Sequence, residues 1–228
     1  MLLDTKSLSR TVDAVNDAAF NGRTIPEEEG KRAATWIASR QGLPGAYAGT
    51  FAGLDEERER GILVFTGERI TSASARHILG EETCRALRQL DVRDPAVQKA
   101  LDKASAGLLS RLEMAAEDPR NTNPGRFCCG KCTVGLWRHL LSGGLDRQEE
   151  RLRLGVRHLH ELRDGKGAWR IYPFWYTVLA LSEMDLPGAL TELRYASKTL
   201  EQAAGRTPKA AVYAQRRHEI ARRALARL

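Results

Sequence analysis

Residues 167–186, GAWRIYPFWYTVLALSEMDL, repeat a pattern first met at residues 125–144, GRFCCGKCTVGLWRHLLSGG. Each stretch begins with a glycine, one further residue and an aromatic residue, and each then enters an apolar run with a Thr–Val step. The offset of roughly 42–44 residues lies in the range at which helix-pair repeats occur. The pattern predicts a repeating unit: an outer helix, a glycine loop with an aromatic residue, and a more apolar inner helix.

Apolar residues recur at helical spacing through most of the chain, and proline marks the start of several of these runs. Proline suits the first turn of a helix because its missing N–H would have no partner there. The clearest strand-like run, ILVF at residues 62–65, is too short to found a sheet. We therefore predict an all-α fold, with a candidate break at Gly80. The predicted helices cover residues 7–20, 26–41, 72–90, 95–117, 131–142, 147–163, 173–184, 187–203 and 208–227.

The stretch GVRHLHELRDGKGAW, residues 155–169, resembles the QW motif of the terpenoid cyclases and protein prenyltransferases, whose fold is an α/α-toroid. The chain departs from that motif where Leu154 replaces a basic residue, His158 an aromatic residue and Arg163 the glutamine. Four residues stand at the spacing of the motif: Gly155, Leu159, Gly167 and Trp169.

This resemblance covers residues 95–200 and implies helix-pair repeats built as a partial or decorated toroid, because the chain is short for a whole one. It gives little support for the family's chemistry, since the acidic motif of the cyclases and the zinc ligands of the prenyltransferases are not found at matching spacing. We expect a single domain in which the N-terminal helical segment, residues 1–90, packs on the same core as the repeat region, residues 91–228.

A glycine-rich stretch, GLPGAYAGTFAG, lies within the N-terminal segment at residues 42–53. Four glycines and a proline among small residues are typical of a loop. We expect this loop either to approach a ligand or another backbone closely, or to be an ordinary connection between helices.

The composition is that of a soluble globular protein, with 228 residues, 42% hydrophobic and 29% charged. The first twenty residues contain no continuous apolar run, and no later segment is long enough to span a membrane. We therefore expect a cytoplasmic, reducing location. Four cysteines in such a location do not suggest a disulfide framework.

The net charge of +7 comes almost entirely from residues 205–228, where seven Arg or Lys residues face a single acid, Glu219. A basic helix of this kind can lie on nucleic acid or on an anionic membrane. Here Tyr213, Ile220 and Ala224 recur at helical spacing. This pattern favours a solvated basic face whose apolar side packs on the protein itself.

Three of the four cysteines fall in RFCCGKC, residues 126–132, at the predicted start of a helix. One interpretation is a zinc site formed by Cys128, Cys129 and Cys132, with a fourth ligand from elsewhere in the chain. A second is thiol chemistry, with Cys129 or Cys132 as nucleophile and His77 as base. A third, which we favour, is that these residues pack as small buried hydrophobic side chains. The candidates for a fourth zinc ligand are Cys84, His77, His139 and His158.

The repeat places the cysteines and a group of aromatic residues at equivalent ends of inner helices, so that both face one rim. A helix N-terminus stabilises anions and lowers the pKa of a thiol there. Four aromatic residues within five positions exceed what one buried stripe needs, so some of them are expected to line a cavity. The residues predicted to bind a ligand at this rim are Trp169, Tyr172, Phe174, Trp175, Tyr176 and Arg126.

Paired acids and a histidine occur upstream in residues 65–82, where Glu81 and Glu82 follow His77. Acid–base catalysis is one interpretation of this group. We favour a capped helix start with ion pairs on the surface, because such pairs are common on solvated helices.

Three functions follow from these patterns. The leading hypothesis is a non-catalytic helical barrel that binds a small apolar ligand or a protein segment at the aromatic and cysteine-lined rim. The alternative is an enzyme that uses a reactive thiol or a cysteine-bound zinc ion at the same rim, and the sequence leaves open whether the protein is an enzyme. Nucleic-acid binding through the C-terminal helix is least favoured, because the charge is confined to one segment with few interleaved aromatic residues.

Overall fold

A computed structural model describes residues 2–118 and 125–228. In these two ranges the regular structure consists of eleven α-helices, one 3₁₀ turn (Tyr47–Gly49) and one short antiparallel pair of strands, so the prediction of an all-α fold is confirmed. The elements are α1 (Leu8–Phe20), α2 (Glu27–Ala38), α3 (Asp55–Arg60), β1 (Ile62–Leu63), β2 (Arg69–Ile70), α4 (Ser72–Leu90), α5 (Pro95–Glu117), α6 (Gly130–Leu141), α7 (Gln148–Glu161), α8 (Phe174–Glu183), α9 (Pro187–Tyr195), α10 (Ser197–Ala204) and α11 (Val212–Leu225).

The helix starts follow from local chemistry. The Ser7 hydroxyl accepts a hydrogen bond from the Arg10 N–H at 3.1 Å and caps α1. The Asp94 carboxylate accepts from the Ala96 N–H at 2.8 Å and caps α5, with Pro95 in the first turn. Each cap satisfies a backbone donor that has no partner within the helix.

The structure differs from the sequence prediction in three elements. The helix predicted over 187–203 is divided at Ala196, which allows α10 to turn and pack on α11. Helix α3 was not predicted, because its sequence DEERER carries no apolar residue and so has no periodic signal. The candidate break at Gly80 does not occur, and α4 continues through it.

Five helices pack side by side as an inner layer, in the order α1, α4, α6, α8 and α11. Helices α4, α6 and α8 run in the same direction: Ile78 faces Gly135 in their first halves, and Arg85 and Arg138 both meet Glu183 near their ends. Helix α5 packs outside on α2 and α4, and α7 packs on α6 and α9. One cluster of buried apolar side chains includes residues from both the N-terminal segment and the repeat region.

The stretch that resembles the QW motif connects α7, α8 and α9 through hydrogen bonds. The buried carboxylate of Glu192 in α9 accepts from Trp169 Nε1 at 2.8 Å and from Arg163 NH2 at 2.9 Å. It also lies 2.9 Å from His160 Nδ1. Arg163 therefore takes up a structural hydrogen bond at the position where the motif has glutamine.

The basic C-terminal helix is docked through its arginines as well as through its apolar side. Arg216 is buried, and its guanidinium donates to Asp13 at 2.8 Å and to Asp17 at 3.0 Å in α1. Arg223 lies over the ring of Phe20 at 3.9 Å. Ile220 and Ala224 are buried, as expected for the apolar side, and Arg222 is exposed. The expectation of a solvated basic face is wrong for Arg216, because the aspartates of α1 supply counter-charges that the local sequence does not reveal. No helix in the described part of the chain is long and apolar enough to cross a membrane.

Candidate metal centre

The cysteine cluster lies where α6 begins, and close packing positions it there. Cys129 precedes α6 in extended conformation, and Gly130 is the first helical residue. A Cβ atom on Gly130 would lie 2.3 Å from the Ile171 carbonyl oxygen, so only glycine lets α6 start this close to the segment before α8. The Thr133 hydroxyl accepts from the Phe127 N–H at 2.9 Å and lies 2.8 Å from the Cys129 carbonyl oxygen. These contacts hold the cysteines at the end of the inner layer that the aromatic segment also reaches.

Three ligand-type atoms meet at this point: His77 Nδ1, Cys128 Sγ and Cys132 Sγ all lie within 4.8 Å of one another. The Cys132 sulfur is 3.6 Å from His77 Nδ1 and 3.4 Å from the Cys129 sulfur. In a tetrahedral zinc site, bonds of about 2.3 Å to sulfur and about 2.0 Å to nitrogen separate neighbouring ligand atoms by roughly 3.5–3.8 Å. The separation between His77 and Cys132 matches this range, and Cys128 lies within 4.8 Å of both, so this group could hold a metal ion.

Backbone strain accompanies the most exposed of these ligands. Cys128 has φ +55°, in the left-handed region that side chains other than glycine rarely adopt. Such a conformation costs of the order of 1–3 kcal/mol and is found mainly at functional sites. In this structure it brings the Cys128 sulfur into the same group as the buried Cys132 sulfur.

Hydrogen bonding polarises the two sulfurs of the Cys129–Cys132 pair. Their contact lowers the pKa of Cys129 and raises that of Cys132. Backbone N–H groups at the start of α6 and the Ser74 hydroxyl, which is 3.6 Å from the Cys129 sulfur, lower the pKa of Cys129 further. Burial lowers the pKa of His77, so its imidazole is neutral at pH 7, the form that binds a metal.

The glycine-rich loop covers one side of the cluster. Its Tyr47 ring packs against the His77 ring at a tilt of 34°, with a centroid distance of 3.8 Å. The loop can come this close because it meets glycines on two helices: a Cβ on Gly107 would lie 1.9 Å from the Ala48 carbonyl oxygen, and one on Gly80 would lie 2.4 Å from the Thr50 hydroxyl oxygen. The loop thus approaches other backbones closely, which was one of the two expectations for it.

Cations surround the cluster on its solvent side. Arg126 is exposed, and its Nε donates to the Cys128 carbonyl oxygen at 3.3 Å. The Arg111 guanidinium lies 6.0 Å from the centre of the Tyr47 ring. Among residues 2–118 and 125–228, neither arginine forms an ion pair with a carboxylate. The mouth of the site is therefore electropositive.

Cys84 lies apart from the other cysteines. It is seven residues beyond His77 on the same helix, which places it about 10 Å further along the helix axis. Its thiol is fully buried, and burial raises its pKa well above the usual value. Of the four candidates for a further ligand, His77 is the one that joins the group, and of the three predicted cysteine ligands Cys129 is not part of it.

The aromatic residues predicted to line the rim are packed mainly against each other and against internal polar partners. Trp169 is buried and stacks on Phe174 at 6.0 Å. Tyr172 stacks on Trp137 at 5.7 Å, and the Tyr176 hydroxyl donates to Glu82 at 2.5 Å. Phe174 and Trp175 are half-buried in an edge-to-face pair. Ligand binding by these side chains stays a prediction.

The acids near His77 are core residues, which corrects the expectation of surface ion pairs. Glu81 is fully buried and lies 2.6 Å from Nδ1 of the equally buried His139. Glu82 accepts from Arg138 Nε at 2.6 Å. Both pairs join α4 to α6, and no local pattern in the sequence could have shown that the two helices face each other here.

Sequence reasoning did not identify Ser74 or Arg111 as members of the site, and it named Tyr47 only as part of a loop. Each comes from a different element, and the cysteines lie 55 residues away from Ser74 and from His77. Local sequence carries no signal for such a meeting.

Comparison with known proteins finds no matching family model, no significantly similar curated protein and no significantly similar solved structure. The chemistry of the site must therefore be inferred from its own residues.

Proposed function

We propose that the protein binds a zinc ion through His77, Cys128 and Cys132. The observation that carries this proposal is the mutual approach of their three ligand atoms to within 4.8 Å. Two thiolates and one imidazole are the ligands that zinc prefers, and their charges balance that of the ion. A bound cation would favour the thiolate form of Cys128, whose pKa is raised by partial desolvation of its sulfur and by the neighbouring Cys129.

Three protein ligands favour a reactive rather than a purely structural zinc ion. Structural sites are closed by four protein ligands, whereas catalytic sites keep one position open for water or substrate. Cys128 is exposed to solvent, so an ion held beside it would be accessible from the electropositive mouth. Zinc lowers the pKa of a bound water and polarises a bound carbonyl or phosphoryl oxygen. The best-supported function is therefore the enzyme alternative, with zinc at this rim.

The Cys129–Cys132 pair supports a second candidate, a dithiol that undergoes thiol–disulfide exchange. Its sulfurs are 3.4 Å apart, and the more accessible Cys129 has the lowered pKa that an attacking thiolate needs. Attack by the Cys129 thiolate on the disulfide of a partner would release one partner thiol and form a mixed disulfide. Attack by the Cys132 thiol on that mixed disulfide would release the second partner thiol and leave a Cys129–Cys132 disulfide. This chemistry and zinc binding compete, because both use the Cys132 sulfur.

Metal analysis of untagged protein tests the first candidate. Protein purified under reducing conditions should contain about one zinc ion per chain. His77→Ala and Cys128→Ser should each weaken zinc binding at least about tenfold, because each removes one of three ligands. Cys84→Ala is the matched control and should leave the zinc content unchanged. Circular dichroism shows whether each variant is folded.

Two results would count against zinc. One is folded, reduced protein that takes up no zinc at micromolar concentration. The other is a Cys84→Ala variant that loses zinc as readily as Cys128→Ser. If zinc is absent and iodoacetamide alkylates Cys129 rapidly at pH 7, the dithiol function becomes the better proposal.

Nucleic-acid binding is still the least favoured function, since several arginines of α11 pair with groups of the protein itself. A cytoplasmic location stays a prediction. It is compatible with free thiols at the site, because zinc binding needs them reduced.

A further inference from the structure

A second cleft opens at the opposite end of the inner layer. It has a volume of about 480 Å³ and takes residues from the C-terminal parts of α1, α4, α6, α8 and α11. Arg85 follows His77 by eight residues on α4, so the cleft and the cysteine cluster are separated by about 12 Å along that helix. Four arginines and one acid contribute to its lining: Arg85, Arg138, Arg223, Arg227 and Glu183.

Two of these arginines lie side by side in the protein interior. Arg138 NH1 and Arg85 NH2 both donate to the same oxygen of Glu183, at 2.8 Å and 3.2 Å. Burial and the nearby positive charge of Arg138 lower the pKa of Arg85. The other oxygen of Glu183 is buried without a partner in the described structure. One oxygen of Glu183 thus accepts hydrogen bonds from two guanidinium groups, and its negative charge only partly offsets their mutual repulsion.

The other two arginines approach from α11 and from the residues that follow it. Arg223 NH1 donates to the Phe20 carbonyl oxygen at 2.6 Å, and Arg227 NH2 donates to the Met184 carbonyl oxygen at 2.8 Å. These bonds satisfy carbonyl groups at the ends of α1 and α8. A guanidinium has five N–H donors, and Arg223 and Arg227 each use two of theirs on described residues. Arg85 has fewer to spare, because it donates to the Arg138 carbonyl oxygen, to Glu183 and to Gln89. Donors are therefore left over for a ligand.

Directed hydrogen bonds, rather than net charge, give the cleft its specificity. Each helix C-terminus carries about half a negative charge, so five of them together with Glu183 and Glu82 offset the whole charge of the four arginines. The cleft therefore attracts anions only weakly through its net charge. A planar carboxylate or a phosphate still matches the fork of N–H groups that a guanidinium presents.

The rest of the lining combines the polar residues Asn16, Gln89 and Ser182 with an apolar part. The apolar part is formed by side chains from α1, the β1–β2 turn, α6 and α8: Phe20, Phe65, Leu141 and Leu179. Volumes of about 300–1,000 Å³ with apolar walls and a few polar groups are typical of small-molecule sites. We propose that this cleft binds a small organic anion, with its carboxylate or phosphate held by Arg223, Arg227 and Arg85 and its apolar body on the Phe20 side.

Titration calorimetry on the full-length chain tests this proposal with phenylacetate and phenyl phosphate as probes and benzyl alcohol as the neutral comparison. We expect at least one of the two anions to bind with a dissociation constant of about 1 mM or lower, and benzyl alcohol to bind at least about tenfold more weakly. The preferred probe distinguishes a carboxylate site from a phosphate site.

Two variants and one matched control test whether the anion binds in the cleft. Arg223→Gln and Arg227→Gln should each weaken the preferred anion about tenfold, as expected for the loss of one charged hydrogen bond. Arg222→Gln should change the affinity less than about twofold, because Arg222 lies outside the cleft, is mostly exposed and pairs with Glu219. Thermal unfolding confirms that all three variants are folded.

The proposal would be overturned if neither anion showed saturable binding up to about 10 mM, or if benzyl alcohol bound as tightly as the anions. It would also be overturned if Arg222→Gln weakened anion binding as much as Arg223→Gln and Arg227→Gln, or if removal of bound metal with EDTA abolished anion binding. The last result would place the anion at the cysteine cluster. Binding that survives EDTA supports the cleft whether or not the protein holds zinc.

Discussion

Arg138 is the buried cation that holds the polar side chains of the core together. Its side chain is 2% exposed and bonds to Glu82 and Glu183, with Asn16 at 3.4 Å. Burial alone would lower the pKa of Arg138, but these two carboxylates raise it, so the guanidinium is charged within the core. A charge buried in this way is tolerated only while every partner is present.

Arg138→Met is predicted to lower the free energy of unfolding by about 3–5 kcal/mol, because it leaves the buried Glu82 without its counter-charge. Urea unfolding at pH 7 measures the loss. Arg153→Met is the control, since Arg153 is 65% exposed and its ion pair with Glu149 should contribute little. A loss below about 1 kcal/mol in Arg138→Met would show that Glu82 finds another partner or takes up a proton.

At the level of elements, two helix glycines have different roles. Gly107 in α5 faces the Ala48 carbonyl oxygen, where a Cβ would lie 1.9 Å away. Gly30 in α2 has room for a Cβ, since its nearest neighbour would be 3.5 Å away. Of these two glycines, Gly107 is the one that lets the loop that carries Tyr47 reach His77.

Gly107→Ala is therefore predicted to destabilise the protein by about 1–3 kcal/mol and to loosen the loop over the metal site. Gly30→Ala should be neutral or stabilising by about 0.5–1 kcal/mol, because it removes backbone freedom from the unfolded chain without a clash. Thermal unfolding compares the two variants, and hydrogen exchange of residues 42–53 reports on the loop. Equal stability of both variants would argue against a tightly docked loop.

For the whole molecule, closure of the inner layer depends on contacts between the two ends of the chain. Arg216 in α11 bonds to Asp13 and Asp17 in α1, about 200 residues earlier in the sequence. Burial raises the pKa of Asp13 and Arg216 opposes that rise, so loss of the arginine would leave a poorly solvated acid. Helix α11 is therefore part of the fold and not an appended basic tail.

Arg216→Gln is predicted to cost about 2–4 kcal/mol, less than a fully buried pair because its aspartates are partly exposed. Arg217→Gln, which replaces a half-buried neighbour that donates to the Thr66 carbonyl oxygen, should cost about 1 kcal/mol. Urea unfolding measures the free energy of unfolding of both variants. If Arg216→Gln costs no more than Arg217→Gln, apolar packing alone holds α11 in place.

Local sequence is enough to predict most helices of this protein and the position of the cysteines at a helix start. Caps such as Asp94 and the spacing of apolar residues act over a few positions, and the ranges 72–90 and 95–117 agree with α4 and α5. Local sequence also shows that Gly130 lies between two cysteines, but not why glycine is needed there. The reason is the Ile171 carbonyl oxygen, more than forty residues away.

Tertiary packing alone brings His77 to Cys132, buries Arg138 against Glu82, and turns the arginines of α11 toward α1. These contacts join residues between 55 and 203 positions apart. They depend on how whole helices are oriented against one another. Many weak contacts together decide that orientation, and no local sequence pattern does. The metal ligands can therefore be listed as candidates from the sequence, but their meeting, and the cleft at the other end of the same helices, follow only from the assembled fold.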